Sequence, residues 1–158
     1  MEWEEIASDA ALQNLPYKIE LNRWGQIVMS PASIPHVLFQ NAIVDLLKGM
    51  LKDGKALQEF PIRTKENVKA PDVVWVSDGL LETIKDQVAS PVAPEICIEV
   101  MSPGNTREQM RTKMGLYFEA GAEEAWICGG DGRVEFYAPS GQMPHSLRAP
   151  AFPDKVHI

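Results

Sequence analysis

Three side chains stand out by type and position: Asp72, Glu99 and Lys113. Glu99 lies near the end of the run Glu95-Ile96-Cys97-Ile98-Glu99-Val100, an apolar segment in which a carboxylate is costly unless it binds something. Asp72 opens a second apolar run, Asp72-Val73-Val74-Trp75-Val76, behind Pro71, and Lys113 falls in a helical pattern that follows Glu99. Two carboxylates at neighbouring strand ends can share a hard divalent cation, and a lysine beside them can orient a water or steady a phosphate. Each residue also has an ordinary explanation. Asp72 can be a strand-start carboxylate, Glu99 a member of a surface ion pair, and Lys113 a solvated lysine. Many folds place acids at strand ends, so the chemistry depends on the elements that bring the three together.

In the strand around Glu99, alternation puts Glu95, Cys97 and Glu99 on one face and Ile96, Ile98 and Val100 on the other. Ala70 to Ser77, rich in β-branched and aromatic residues, is a second strand, and Glu124-Ala125-Trp126-Ile127-Cys128 is a third. A helix is predicted from about Thr106 to Ala120, closed by Gly121, with Met110, Met114, Tyr117 and Phe118 as its apolar stripe. Gln109, Lys113 and Tyr117 recur every fourth residue, so Lys113 borders the buried face and can aim at a strand end. Strand, helix and strand over this span make a βαβ unit with parallel strands.

The remaining chain frames that unit. Tyr17 to Ser30 reads as a β-hairpin turning at Asn22-Arg23-Trp24-Gly25, expected to be a covering ribbon. A helix capped near Ser33, with Pro35 in its first turn, runs to about Lys52 and stops at Gly54. His36 lies in that first turn, where it either lines a cleft or is merely exposed. Two weak strands, Ala56 to Phe60 and Pro61 to Lys65, carry Glu59, a possible third acid for which a surface position is the simpler reading. Ser77 to Pro94 is a polar loop with a short helix around Gly79 to Lys85. After Cys128, Gly129-Gly130-Asp131-Gly132 turns into a strand from Arg133 to Tyr137, and the proline-rich end forms an edge strand or an extended cover near Ala151-Phe152-Pro153. The expected class is mixed α/β, a central mixed sheet flanked by helices with an N-terminal hairpin. One domain spans 1–158, with the hairpin at 15–30, the core at 33–137 and an extended segment at 138–158.

Composition fits such a domain: 158 residues, 45% hydrophobic and 23% charged, enough to bury a core without staples. No apolar run approaches the roughly 18 residues of a membrane span. The acidic start MEWEEIASDA lacks the basic and apolar segments of a signal peptide. Cys97 and Cys128 sit in apolar runs, which favours reduced core thiols and a cytoplasmic location, and their spacing matches no zinc pattern. A net charge of −7 argues against indiscriminate attraction to nucleic acid. It leaves room for a local basic groove, a dimer or bridging divalent cations.

Read in order, "IVMSPAS", "APDVVWVS" and "EICIEVMSPGNTREQMRTKMGLYFEAGAEEAWIC" resemble the Uma-type restriction endonucleases of bacteria, in the PD-(D/E)XK phosphodiesterase superfamily. The resemblance spans roughly Leu15 to Tyr137, and "LRAPAFPDKVHI" is similar to the start of the family's C-terminal strand. It implies a restriction-endonuclease-like fold and a Mg²⁺- or Mn²⁺-dependent DNA endonuclease that hydrolyses phosphodiester bonds. Asp72 matches the acid of the family's Pro-Asp motif and Glu99 that of its Glu-Val-x-Ser-Pro motif, which makes them the implied metal ligands, with the Val100 or Met101 carbonyl completing the shell. The lysine that the superfamily places two residues after the glutamate is replaced by Met101, and Lys113 matches the helical lysine that takes its role. His36 matches a histidine at the start of the first helix, and Gln109, Tyr117 and Glu59 are further accessory candidates. Gln109 stands where the family has an acid, and Gly129 where a strand ends in Asp. The implied partner is DNA and the implied assembly a homodimer, because double-strand cutting uses two sites. Two other readings keep the fold: a dimeric interaction or nucleic-acid-binding module with a relic site, and a phosphodiesterase acting on RNA or small nucleotides.

Overall fold

The structure, a computed structural model, describes residues 1–158. After a short helix α1 (Trp3–Ser8), strands β1 (Tyr17–Leu21) and β2 (Ile27–Pro31) form an antiparallel hairpin that stands as its own two-stranded sheet. Helix α2 (Ile34–Met50) follows, then β3 (Gly54–Gln58), a small hairpin of β4 (Ile62–Thr64) and β5 (Asn67–Lys69), β6 (Val73–Ser77), and α3 (Asp78–Ile84). The chain continues through β7 (Ile96–Val100), α4 (Arg107–Glu119), β8 (Glu124–Cys128), β9 (Val134–Ala138) and β10 (Gly141–Met143). Six strands make the central sheet in the order β10-β9-β8-β7-β6-β3. Only β7 and β8 are parallel, as a strand–helix–strand connection requires, and every other pair is antiparallel.

Alternation along β7 sorts the sheet into two faces. Ile96, Ile98 and Val100 enter the largest core cluster, together with Phe39, Ile43, Val44 and Leu47 of α2 and an aromatic group of Trp126, Phe136 and Phe152. Trp126 meets Phe136 edge-on, with ring centroids 4.9 Å apart, and Phe152 at 4.6 Å, so the C-terminal segment is an extended cover sealing this face. On the opposite face Cys97 packs with Val74 and Tyr117, while Met110 and Met114 of α4 cover Ala125 and Ile127. Helix α2 therefore covers one face and α4 the other.

Local signals set the helix boundaries. Ser33 Oγ accepts the His36 amide, and Pro35 lies in the first turn of α2. Leu51 closes that helix rather than Gly54. Gly54 instead begins β3, where any Cβ would collide with the Trp75 ring, so its requirement is close packing rather than helix termination. Helix α4 starts in a capping box: Thr106 Oγ1 accepts from the Gln109 amide at 3.1 Å, and Gln109 Oε1 accepts from the Thr106 amide at 2.9 Å. The sheet edge is β10, earlier than the segment around Phe152, because that segment spends its apolar side chains on the core and meets the sheet only at one bridge, Arg133 with Lys155. Helix α1 and strand β5 carried no sequence pattern strong enough to predict them. Cys97 and Cys128 are buried free thiols, and no helix is long and apolar enough to cross a membrane.

Candidate active site

The register of β6 against β7 pairs Val73 with Ile98. One step further along each strand, Asp72 and Glu99 stand side by side at the same end of the sheet. Both are almost wholly buried, 1% and 3% exposed. Burial of two acids this close is unfavourable unless each is held, and each is held on one oxygen. Asp72 Oδ2 accepts the Val100 amide at 2.7 Å. Glu99 Oε1 accepts the Tyr117 hydroxyl at 2.6 Å and lies 3.4 Å from Lys113 Nζ. Lys113 and Tyr117, four residues apart on α4, thus reach the same carboxylate oxygen, as their spacing predicts.

The other two oxygens converge. Asp72 Oδ1 and Glu99 Oε2 both touch Lys18 Nζ, at 2.9 and 3.3 Å. His36 completes that side, with Nε2 3.3 Å from Asp72 Oδ1 and Nδ1 3.2 Å from Ser102 Oγ. Gln40, one turn further along α2, donates to the Asp72 carbonyl at 3.1 Å and fixes the backbone there. On the far side Lys113 Nζ is bound by both oxygens of Glu20, at 2.8 and 3.0 Å, and Glu20 also accepts the Ala70 amide at 2.7 Å. Three carboxylates are therefore in direct contact with two ammonium groups, leaving one negative charge in excess.

That imbalance appears in the acids' proton affinities. Burial alone would push Asp72 up, yet Lys18 and His36 outweigh it and hold the carboxyl well below its usual range. Glu20 is likewise opposed by burial and held down by Lys18 and Lys113. Glu99 goes the other way: burial dominates, Asp72 and Glu20 add repulsion, and Lys113 and Lys18 compensate only in part, so its pKa is raised. For Lys18 burial disfavours the charge, but Glu99, Asp72 and Glu20 prevail and keep it protonated well above the ordinary lysine range. Tyr117, fully buried against Glu99, is pushed far up and remains a donor.

Five sequence candidates thus meet at one point: Asp72, Glu99, Lys113, His36 and Tyr117. Two do not. Gln109 is exposed and occupied in the α4 capping box, since its position one turn before Lys113 is also the helix's third residue, where an amide side chain satisfies the open end. Glu59 is exposed on the turn after β3, with a left-handed backbone and no ionic partner. The hairpin, expected to be only a covering ribbon, supplies the two residues that sequence reasoning missed, Lys18 and Glu20. The sequence carries only an ambiguous sign of them: in Tyr17-Lys18-Ile19-Glu20-Leu21 the two charges share one strand face, the same pattern that a solvated ribbon shows.

A hard dication fits this donor set in one specific way. No three His, Cys, Asp or Glu side chains converge as a closed cage. Two carboxylate oxygens do converge, and the group between them is cationic. Mg²⁺ characteristically binds through one or two carboxylates while keeping waters and substrate phosphate in its other positions. One cavity, of about 460 Å³, lies elsewhere, beside Met101, Ile127 and Arg133. Another, of about 260 Å³, opens beside Lys18.

Comparison with known proteins agrees with this architecture. No curated protein matches the sequence. A crystal structure of an Anabaena variabilis protein, described as "a putative nuclease belonging to DUF820", superposes with a TM-score of 0.72 at 15% identity, covering 96% of this chain and 93% of that one. At that identity the likeness is one of fold. The Uma2 family model, described as "Putative restriction endonuclease", matches residues 3–155, and the chain belongs to that family.

Proposed function

We propose that this protein is a Mg²⁺- or Mn²⁺-dependent endonuclease that hydrolyses DNA phosphodiester bonds, its 158 residues acting as one domain. The observation that carries the reading is the convergence of Asp72 Oδ1 and Glu99 Oε2 on a single cationic position, with Lys113 alongside. Asp72 and Glu99 hold the metal, which when bound supplies Lewis acidity at the phosphate and a more acidic water. The chain's own groups do the positioning. The Val100 amide pins Asp72 Oδ2, and Tyr117 with Lys113 pins Glu99 Oε1, so that Oδ1 and Oε2 converge on the position that Lys18 holds. Lys113, clamped by Glu20, orients the attacking water and offsets the charge that builds on the phosphoryl oxygens. His36 steadies Asp72 from the rim. Cutting both strands of a duplex uses two copies of the site, hence a homodimer.

Incubation of the purified chain with Mg²⁺ or Mn²⁺ and varied DNA substrates should give cleavage that Asp72→Ala and Glu99→Gln abolish. Uncut DNA under all these conditions, with metal binding unchanged by Asp72→Ala, would sink the reading. The alternative of a relic site, serving only interaction or nucleic-acid binding, has one observation in its favour: Lys18 already occupies the two converging carboxylate oxygens. Calorimetry separates the two, since a relic takes up no divalent cation with or without oligonucleotide.

A further inference from the structure

Lys18 stands where the proposed function needs a metal, and its contacts assign it a role of its own. Glu99 Oε2 has no hydrogen-bond partner other than Lys18, and Asp72 Oδ1 has only Lys18 and His36. The remaining oxygen of each acid is engaged elsewhere, by the Val100 amide and by Tyr117 with Lys113. The ammonium therefore occupies the two oxygens that would serve as metal ligands, and no others. A dication seated between these two oxygens would lie at contact distance from the ammonium and repel it.

Its mounting also allows it to leave. Lys18 belongs to β1, which pairs with β2 alone and is not part of the six-stranded sheet. Its side chain is 10% exposed, and it lines the 260 Å³ cavity together with Tyr17, Ile19 and the exposed acid Glu59. The flexible stem can turn into this space without disturbing the sheet.

We propose that Lys18 is a tethered counterion of the Asp72–Glu99 pair, which divalent metal must displace and which the substrate's phosphate then receives. The proposal rests on the reading of the site as a metal centre. In the free protein Lys18 offsets part of the charge of the buried acids and lowers metal affinity. When a nucleic acid backbone enters, its phosphate offers the released ammonium a new partner, so that metal and substrate favour each other's binding. Such coupling is reciprocal by thermodynamic necessity. It makes the site poor at holding metal until a phosphodiester is present.

The test is metal binding without catalysis. Lys18→Met keeps the stem and removes the charge. Titrated with Mn²⁺ in the absence of DNA, Lys18→Met should bind at least tenfold tighter than the unaltered chain, and Lys18→Met/Asp72→Asn should lose the gain. Equal Mn²⁺ affinity in Lys18→Met and the unaltered chain overturns the counterion role while leaving the metal centre standing. No Mn²⁺ uptake by either, with or without oligonucleotide, removes the metal reading as well. Should Lys18→Met fail to fold, the unaltered chain decides by nitrogen-15 NMR of the lysine ammonium groups. The buried Lys18 signal should disappear or move on saturation with Mg²⁺, and a signal unchanged at saturation overturns the proposal.

Discussion

The two faces of the central sheet are built from the same strands by opposite rules. On the α2 face, Ile96, Ile98, Val100 and Trp126 meet helix and C-terminal aromatics in a dry cluster of 17 buried residues. There, apolar area removed from water stabilises the fold, and the one buried acid of β8 on that face, Glu124, is satisfied by the Trp126 indole, the Ser146 hydroxyl and the Arg148 amide. On the α4 face the same β7 strand contributes Cys97 and then Glu99, and around Glu99 five charged groups are interlocked. A buried ionic network of this kind adds little net stability, because desolvation cancels most of the attraction. One face therefore holds the molecule together, and the other stores a charge arrangement that only a ligand can complete.

Substitutions can break that comparison, and the sharpest contrast comes first. Asp72→Asn should reduce divalent-dependent cleavage by about 10³-fold or more while the circular dichroism spectrum stays native. Trp126→Ala, on the opposite face, should lower unfolding free energy by about 3–5 kcal/mol, yet leave activity per folded molecule near normal. If Trp126→Ala abolished activity at full foldedness, the division of labour between the faces would be wrong.

The charged face itself divides by sign. Asp72 and Glu20 have lowered pKa values, so the unfolded chain binds more protons than the folded one. Their stabilisation is complete above their ordinary values, 3.8 and 4.5, and drains as pH falls below them. Glu99 has a raised pKa. Its contribution is present at low pH and is lost as pH rises through the raised value. Near neutrality Glu99→Gln should therefore raise the urea midpoint, whereas Asp72→Asn should lower it, because Lys18 keeps its burial and loses its nearer partner. A urea series at several pH values measures both, and equal shifts of the same sign would contradict the charge imbalance.

The smallest effects fall on the two candidates that the fold sets apart. Gln109→Ala should cost about 0.5–1 kcal/mol through the lost capping box and leave cleavage unaltered. Glu59→Gln should change stability by less than about 0.5 kcal/mol. A large activity loss at Gln109 would extend the site to the first turn of α4.

By itself the sequence determined the elements around the site and the candidates on them. Alternation in β7 and the propensity of β6 are local properties, as are the cap at Ser33, the box at Thr106 and Gln109, and the spacing of Lys113 and Tyr117. Asp72 and Glu99 were visible because an acid bordering an apolar strand violates the pattern around it. Lys18 and Glu20 were not, because a charge on an alternating ribbon is the normal sign of a solvated face. Only the tertiary structure turned that face inward, by folding the β1–β2 hairpin against the end of the sheet where β6 begins and β7 ends. Packing of α2 on the sheet joined His36 to Asp72, whereas Gln109 was set apart locally, by its place in the α4 capping box. Which charges neutralise one another depends on contacts between residues up to 93 positions apart, and no local pattern encodes those.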